Sequence, residues 1–210
     1  MSLLKRVGGG RVLDFDIENR PLSYWQPDCP TAEITAIAMC WSDDPTSMEV
    51  AVLLPADDGP GNLLQRFVER YNEADLVTGH YIRMHDLPII NGALYELGMP
   101  LLSSKMTCDT KLDMFKKSDV PATQEFLLDT LHVCDIYGNP VKKYHMSQTM
   151  WREANRLTKA GIQETVKRVS SDVYDHIALR KRMLELGMLR PPTMWNPGGG
   201  EADVTEGRHR

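Results

Sequence analysis

Asp16 and Glu18 stand two residues apart in the short apolar run Val12-Leu13-Asp14-Phe15-Asp16-Ile17-Glu18. Side chains alternate along a strand, so both carboxylates leave one face about 6.6 Å apart while Leu13, Phe15 and Ile17 fill the other. Carboxylates buried without partners are costly and must be neutralised by protonation or by a cation. A divalent metal held between them removes that cost, and Mg²⁺ and Mn²⁺ prefer carboxylate oxygens. A solvated strand also shows acid-x-acid, so a site requires ligands from other segments.

Two segments offer them. The run Thr78 to Ile90 puts Asp86 at a loop-to-helix start just before Pro88, where an N-cap acid is also expected. Asp172 lies in the helical stretch Val166 to Met183, bordering a stripe of Ile162, Val166, Val169, Val173 and Ile177. Arg168 precedes it by one turn, and Asp175 and His176 follow by one. The four cysteines, Cys29, Cys40, Cys108 and Cys134, lack metal-ligand spacing and read as core residues or free thiols.

The elements that must carry these groups follow from periodicity and turn residues. Strands are expected over Arg11 to Glu18, Glu33 to Trp41 after the Pro27-Asp28-Cys29-Pro30 loop, Glu49 to Leu54, and Asp75 to Gly79, with Ser42 to Ser47 as a hairpin loop. Leu63, Leu64, Phe67, Val68 and Tyr71 mark one helix, and Leu87 to Leu97, closed by Gly98, another. From Gln124 the chain turns helical, over Gln124 to Ile136, Ser147 to Leu157 and Ile162 to Gly187. A strand-rich half followed by a helical half predicts an α/β fold with a mixed sheet flanked by helices.

At 210 residues with 42% apolar content, one core is expected over residues 1–189, followed by a flexible tail over 190–210 that contains Pro191-Pro192 and Gly198-Gly199-Gly200. No apolar run is long enough to span a bilayer, and Met1 to Gly10 lacks a signal-like segment, so a cytoplasmic protein without membrane partners is expected. The net charge of −5 is unevenly divided. Residues 1–139 carry 11 Lys and Arg against 21 Asp and Glu, whereas 140–182 carry 10 against 4. An acidic body beside a basic stretch suits metal in one place and phosphate in the other, although a solvated helical face has the same composition.

Together these residues resemble the DEDD superfamily of 3′ to 5′ exonucleases on the RNase H-like fold, especially the proofreading exonuclease domain of family-B DNA polymerases. Phe15-Asp16-Ile17-Glu18 looks like that family's first motif. Thr78 to Ile90 looks like its second, with Tyr81 where Asn is frequent and His85 where Phe is usual, and Asp172-Val173 looks like its third. Cys108-Asp109-Thr110 resembles the strand that follows the second motif. The resemblance implies two Mg²⁺ or Mn²⁺ ions held by Asp16, Glu18, Asp86 and Asp172, which hydrolyse phosphodiester bonds at a 3′ end to nucleoside 5′-monophosphates. Single-stranded DNA is the expected substrate, with RNA open because 2′-hydroxyl discrimination depends on pocket shape. Replication or recombination proteins are the expected partners. Lys142, Lys143, Arg152, Arg156 and Lys159 are candidates for phosphate contacts, and Tyr24, Trp25 and Trp151 for base stacking.

One departure concerns the proton of the attacking water. The family carries Tyr four residues, or His five, before its last Asp, where this chain has Arg168 and Lys167. Arginine stays protonated and cannot act as a base, but it can hold a phosphate or shield the carboxylates. His176 is the preferred substitute, ahead of His80 and His85. A stand-alone exonuclease, a nucleic-acid-binding or polymerase-accessory module without turnover, and an endonuclease of the same fold remain open readings at this point.

Overall fold

Polar and apolar residues alternate through β1 (Val12–Pro21), which becomes a central strand paired on both sides. The computed structural model describes residues 10–21, 32–115 and 121–197. Tyr24, Trp25, Cys29, the Pro27–Pro30 turn and the tail from Gly198 lie outside the described residues. β1 pairs antiparallel with β2 (Ala32–Trp41), which pairs antiparallel with β3 (Asp44–Val52). On its other side β1 runs parallel to β4 (Leu76–Gly79), then come parallel β5 (Lys105–Asp109) and antiparallel β6 (Thr193–Trp195). The sheet order is β3-β2-β1-β4-β5-β6, a mixed six-stranded sheet with helices, as expected.

The odd residues of β1 face a large apolar layer. Leu13, Phe15 and Ile17 join Ile37 and Met39 of β2 against α1 (Gly61–Glu73) and α2 (Asp86–Glu96), whose Leu64, Phe67, Leu87 and Ile90 are buried. Each such large side chain contributes about 1.5–3 kcal/mol on burial. The even residues face α5 (Lys159–Glu185), and beside them on β2 are Ala36, Ala38 and Cys40. These small residues pack against Val169 and Val173, which lets the helix lie close over the acids of β1.

Two shorter helices, α3 (Gln124–Thr130) and α4 (Gln148–Asn155), precede α5. Thr158 begins α5 by accepting the Gly161 amide at 3.1 Å. Gly161 also permits the α4–α5 approach, since a Cβ there would lie 2.2 Å from the Glu153 carbonyl carbon and oxygen.

Several expectations need correction. Strand pairing in β3 starts at Asp44, so only Ser42 and Asp43 turn the hairpin; Ser47 Oγ accepts the Trp41 amide at 2.8 Å and carries the irregular register. The helix expected over Gln124 to Ile136 stops at Thr130, because His132 turns left-handed at φ 50° and Asp135 Oδ1 gathers the Tyr137 and Asn139 amides at 2.8 and 2.9 Å. Residues 190–197, read as the start of a tail, instead add β6 to the sheet, where Thr193, Met194 and Trp195 pair with Thr107, Met106 and Lys105. On α5, Ile162, Val166 and Ile177 are only half-buried, whereas Asp172 lies inside the buried face with Val169, Val173 and His176. No helix among the described residues is long and apolar enough to cross a membrane.

Candidate metal centre

The helix and strand that build the site run in matched steps. Four residues of α5 advance about 6 Å and two residues of β1 about 6.6 Å, so successive turns of one meet alternate residues of the other. Arg168 Nε lies 3.3 Å from Glu18 Oε1, and His176 Nδ1 lies 3.0 Å from Asp14 Oδ1. Between these two contacts comes Asp172. One carboxylate oxygen each from Asp16, Glu18 and Asp172 can be chosen so that all three lie within 4.8 Å of one another.

Asp86 borders this group. It opens α2, where the free backbone amides favour an acid, and its Oδ1 accepts the Ile17 amide at 3.3 Å, which ties it to β1 between Asp16 and Glu18. Its placement depends on the turn before it. A Cβ on Gly79 would lie 2.8 Å from the Phe15 carbonyl oxygen, so glycine allows the end of β4 to reach β1. Tyr81 adopts φ 73°, a left-handed conformation that Asn enters more readily, which gives a physical meaning to the Asn of the resembled motif. Buried Asp109 holds that turn: Oδ1 accepts the Tyr81, Lys111 and Leu112 amides, each at 3.0 Å, and Oδ2 accepts that of Arg83 at 3.1 Å.

Burial and mutual repulsion dominate the electrostatics. Burial, then the charges of Asp86, Asp172 and Glu18, push Asp16 well above the ordinary carboxylate range. Burial raises Glu18 to about 7 against the opposing Arg168, and raises Asp86 to about 7 with Asp109 and Glu18 adding to the effect. Asp172 is raised by burial while Lys143 and Arg168 pull it down. Burial and then Asp172 raise Asp175 to about 7.

Carboxylates crowded in this way fit a hard divalent cation. Asp172 Oδ1 is buried and has no hydrogen-bond partner among the described residues, an open oxygen beside two other acids. Oxygen ligands without histidine or thiolate suit Mg²⁺ or Mn²⁺. Two cations already touch the same acids, however. Arg168 also lies 3.0 Å from Asp172 Oδ2, and Lys143 Nζ lies 3.4 Å from that oxygen.

The remaining sequence candidates fall in different places. Lys167 pairs with Glu164 at 2.7 Å on the exposed side of α5. Lys142 and Lys143 line a groove of about 480 Å³ with Glu125, Phe126, Asp129, Val141 and His145. Arg152 and Arg156 line a separate recess of about 310 Å³ on α4 with Trp151, and Arg156 pairs with Glu153 at 3.6 Å. His80 is bound at both ring nitrogens, by Thr110 Oγ1 at 2.9 Å and the Ala122 carbonyl at 3.0 Å, and His85 is exposed. His176 is buried with Nδ1 on Asp14, and Nε2 has no hydrogen-bond partner among the described residues.

Sequence reasoning assigned no role to Asp14 or Arg180. Arg180 Nη2 donates to both Asp14 oxygens at 2.8 Å, and Ser42 Oγ also donates to that carboxylate. Strand parity was the available signal for Asp14, and the four-residue step from His176 the signal for Arg180. Asp109 was noticed only within a motif, not for the four amides it collects.

No family model and no curated protein matches this chain. A solved structure does: the family B DNA polymerase from the hyperthermophilic archaeon Pyrobaculum calidifontis superposes over 83% of this chain with a TM-score of 0.59 and 21% identity. The chain spans 24% of that polymerase chain. The likeness is one of fold, a mixed α/β sheet compatible with the RNase H-like architecture.

Proposed function

We propose that this protein is a metal-dependent 3′ to 5′ exonuclease that hydrolyses the terminal phosphodiester bond of single-stranded DNA and releases nucleoside 5′-monophosphates. The observation that carries this reading is the convergence of Asp16, Glu18 and Asp172, with Asp86 tied beside them, from three separated segments in the order of the resembled motifs. These four would hold the two Mg²⁺ or Mn²⁺ ions. When bound, such ions supply positive charge to the phosphate and a lowered pKa to water. The protein's own groups do the rest. Asp86, fixed through Ile17 and the Asp109-held turn, keeps the acids in register. His176, oriented through Nδ1 by Asp14, would accept the proton of the attacking water at Nε2, which has no partner among the described residues. Lys142 and Lys143 along the groove would take phosphates of the strand without reading bases. A role at DNA ends in replication, repair or recombination follows from that chemistry.

One observation favours a second reading, a binding module without turnover: Arg168 and Lys143 rest on Asp172, and Arg168 on Glu18 as well. Single strands labelled at the 3′ or 5′ end and incubated with Mn²⁺ separate the two. Labelled mononucleotide from the 3′ end alone supports the exonuclease, whereas bound but intact strand supports the module.

A further inference from the structure

The segment between α3 and α4 lies over the acids like a strap. Its Lys143 Nζ bonds Gln124 Oε1 at 2.8 Å while reaching Asp172, its Tyr144 carbonyl accepts from Arg168 Nη1, and its Tyr144 hydroxyl donates to Glu164. Arg168 therefore touches Glu18, Asp172 and the strap together. The carboxylates these cations occupy, Glu18 and Asp172, are two of those that would hold a divalent ion. Arg168 and Lys143 are also the two residue types best suited to phosphate, one a rigid fork and the other a mobile point charge. Lys143 belongs to both places, since it contacts Asp172 and lines the groove beside Lys142 and Phe126.

We propose that Arg168 and Lys143 are exchangeable counter-ions, on the acids when metal is absent and on the phosphates of a bound strand once a divalent cation has taken the acids. The inference rests on the metal-site reading above. It makes metal and strand bind with mutual reinforcement, because each releases the cations from the other's site and coupling between sites is reciprocal.

Titrating Mn²⁺ calorimetrically into the full chain without nucleic acid tests the first half. Arg168→Gln and Lys143→Gln should each bind Mn²⁺ at least about fivefold more tightly than the parent, the lower end of ordinary site coupling. Lys167→Gln removes the same charge one residue away, where the side chain pairs with Glu164, and should leave Mn²⁺ affinity unchanged. Binding of a phosphorothioate single strand tests the second half: Mn²⁺ should tighten it for the parent and fail to do so for the Arg168→Gln, Lys143→Gln double variant. Lys143→Gln keeps the Arg168 pairs and so reports even if Arg168→Gln melts at the assay temperature. Mn²⁺ bound equally by all proteins, or more weakly by both single variants, would overturn the exchange and leave the metal site standing. Absence of Mn²⁺ binding in every protein would overturn both.

Discussion

His176 Nδ1 lies 3.0 Å from Asp14 Oδ1 in the interior between α5 and β1, and Arg180 donates to both oxygens of the same carboxylate at 2.8 Å. Burial alone would raise Asp14, but Arg180, His176 and Ser42 outweigh it and hold Asp14 below the ordinary range. Asp14→Ala leaves Arg180 buried and uncompensated, so it should lower stability by about 3–5 kcal/mol in urea unfolding, and Asp14→Asn by less. Equal stability of all three proteins would show that the knot does not hold α5.

If Asp14 orients His176 as the base, His176→Gln should reduce the rate of mononucleotide release about 100-fold while leaving Mn²⁺ affinity unchanged. An unchanged rate would make His176 a structural partner of Asp14 only.

Asp109 should matter without touching the acids. Its carboxylate accepts four backbone amides around the turn before Asp86, so Asp109→Ala should cost at least about 2 kcal/mol. For a chain of this size that is about 4–8 °C in melting temperature, readable by circular dichroism.

How much of this was legible follows from the distances in sequence over which each signal acts. Strand alternation is local, so it placed Asp16 and Glu18 on one face, whereas helical periodicity put Asp172 only at the border of a stripe on α5 where the fold buries it. Asp14 has the same parity, yet its role depends on His176 and Arg180, 162 and 166 residues later. A loop lysine such as Lys143 reads as a phosphate contact until the fold brings it to Asp172. The end of α3 was hidden because a left-handed His132 leaves no strong mark in composition, and three residues of β6 are too few to show a period.

Metal-free protein should lose stability as pH rises. Glu18, Asp86 and Asp175 titrate near 7 in the folded chain and near 4 when unfolded, so between those values the folded state binds more protons and stability falls with increasing pH. His80, lowered to about 3 mainly by burial, and His85, also lowered by burial, act oppositely below about 6.5, while the raised Asp16 and Asp172 add to the carboxylate side. In EDTA the melting temperature should therefore fall between pH 5.5 and 8, and Mn²⁺ should remove most of the fall. A melting temperature rising across that range in EDTA would contradict the repulsion assigned to the acids.

Asp16, Glu18 and Asp172, with Asp86, are proposed to hold divalent cations for cleavage at a 3′ end. The decisive measurement is mononucleotide release from a 3′-labelled single strand in Mn²⁺, compared between the parent protein and a folded Asp16→Asn variant. Release by the parent is expected, with none in EDTA and at least about a hundredfold less with Asp16→Asn. Release that survives Asp16→Asn, or a parent that leaves the strand intact, would contradict it.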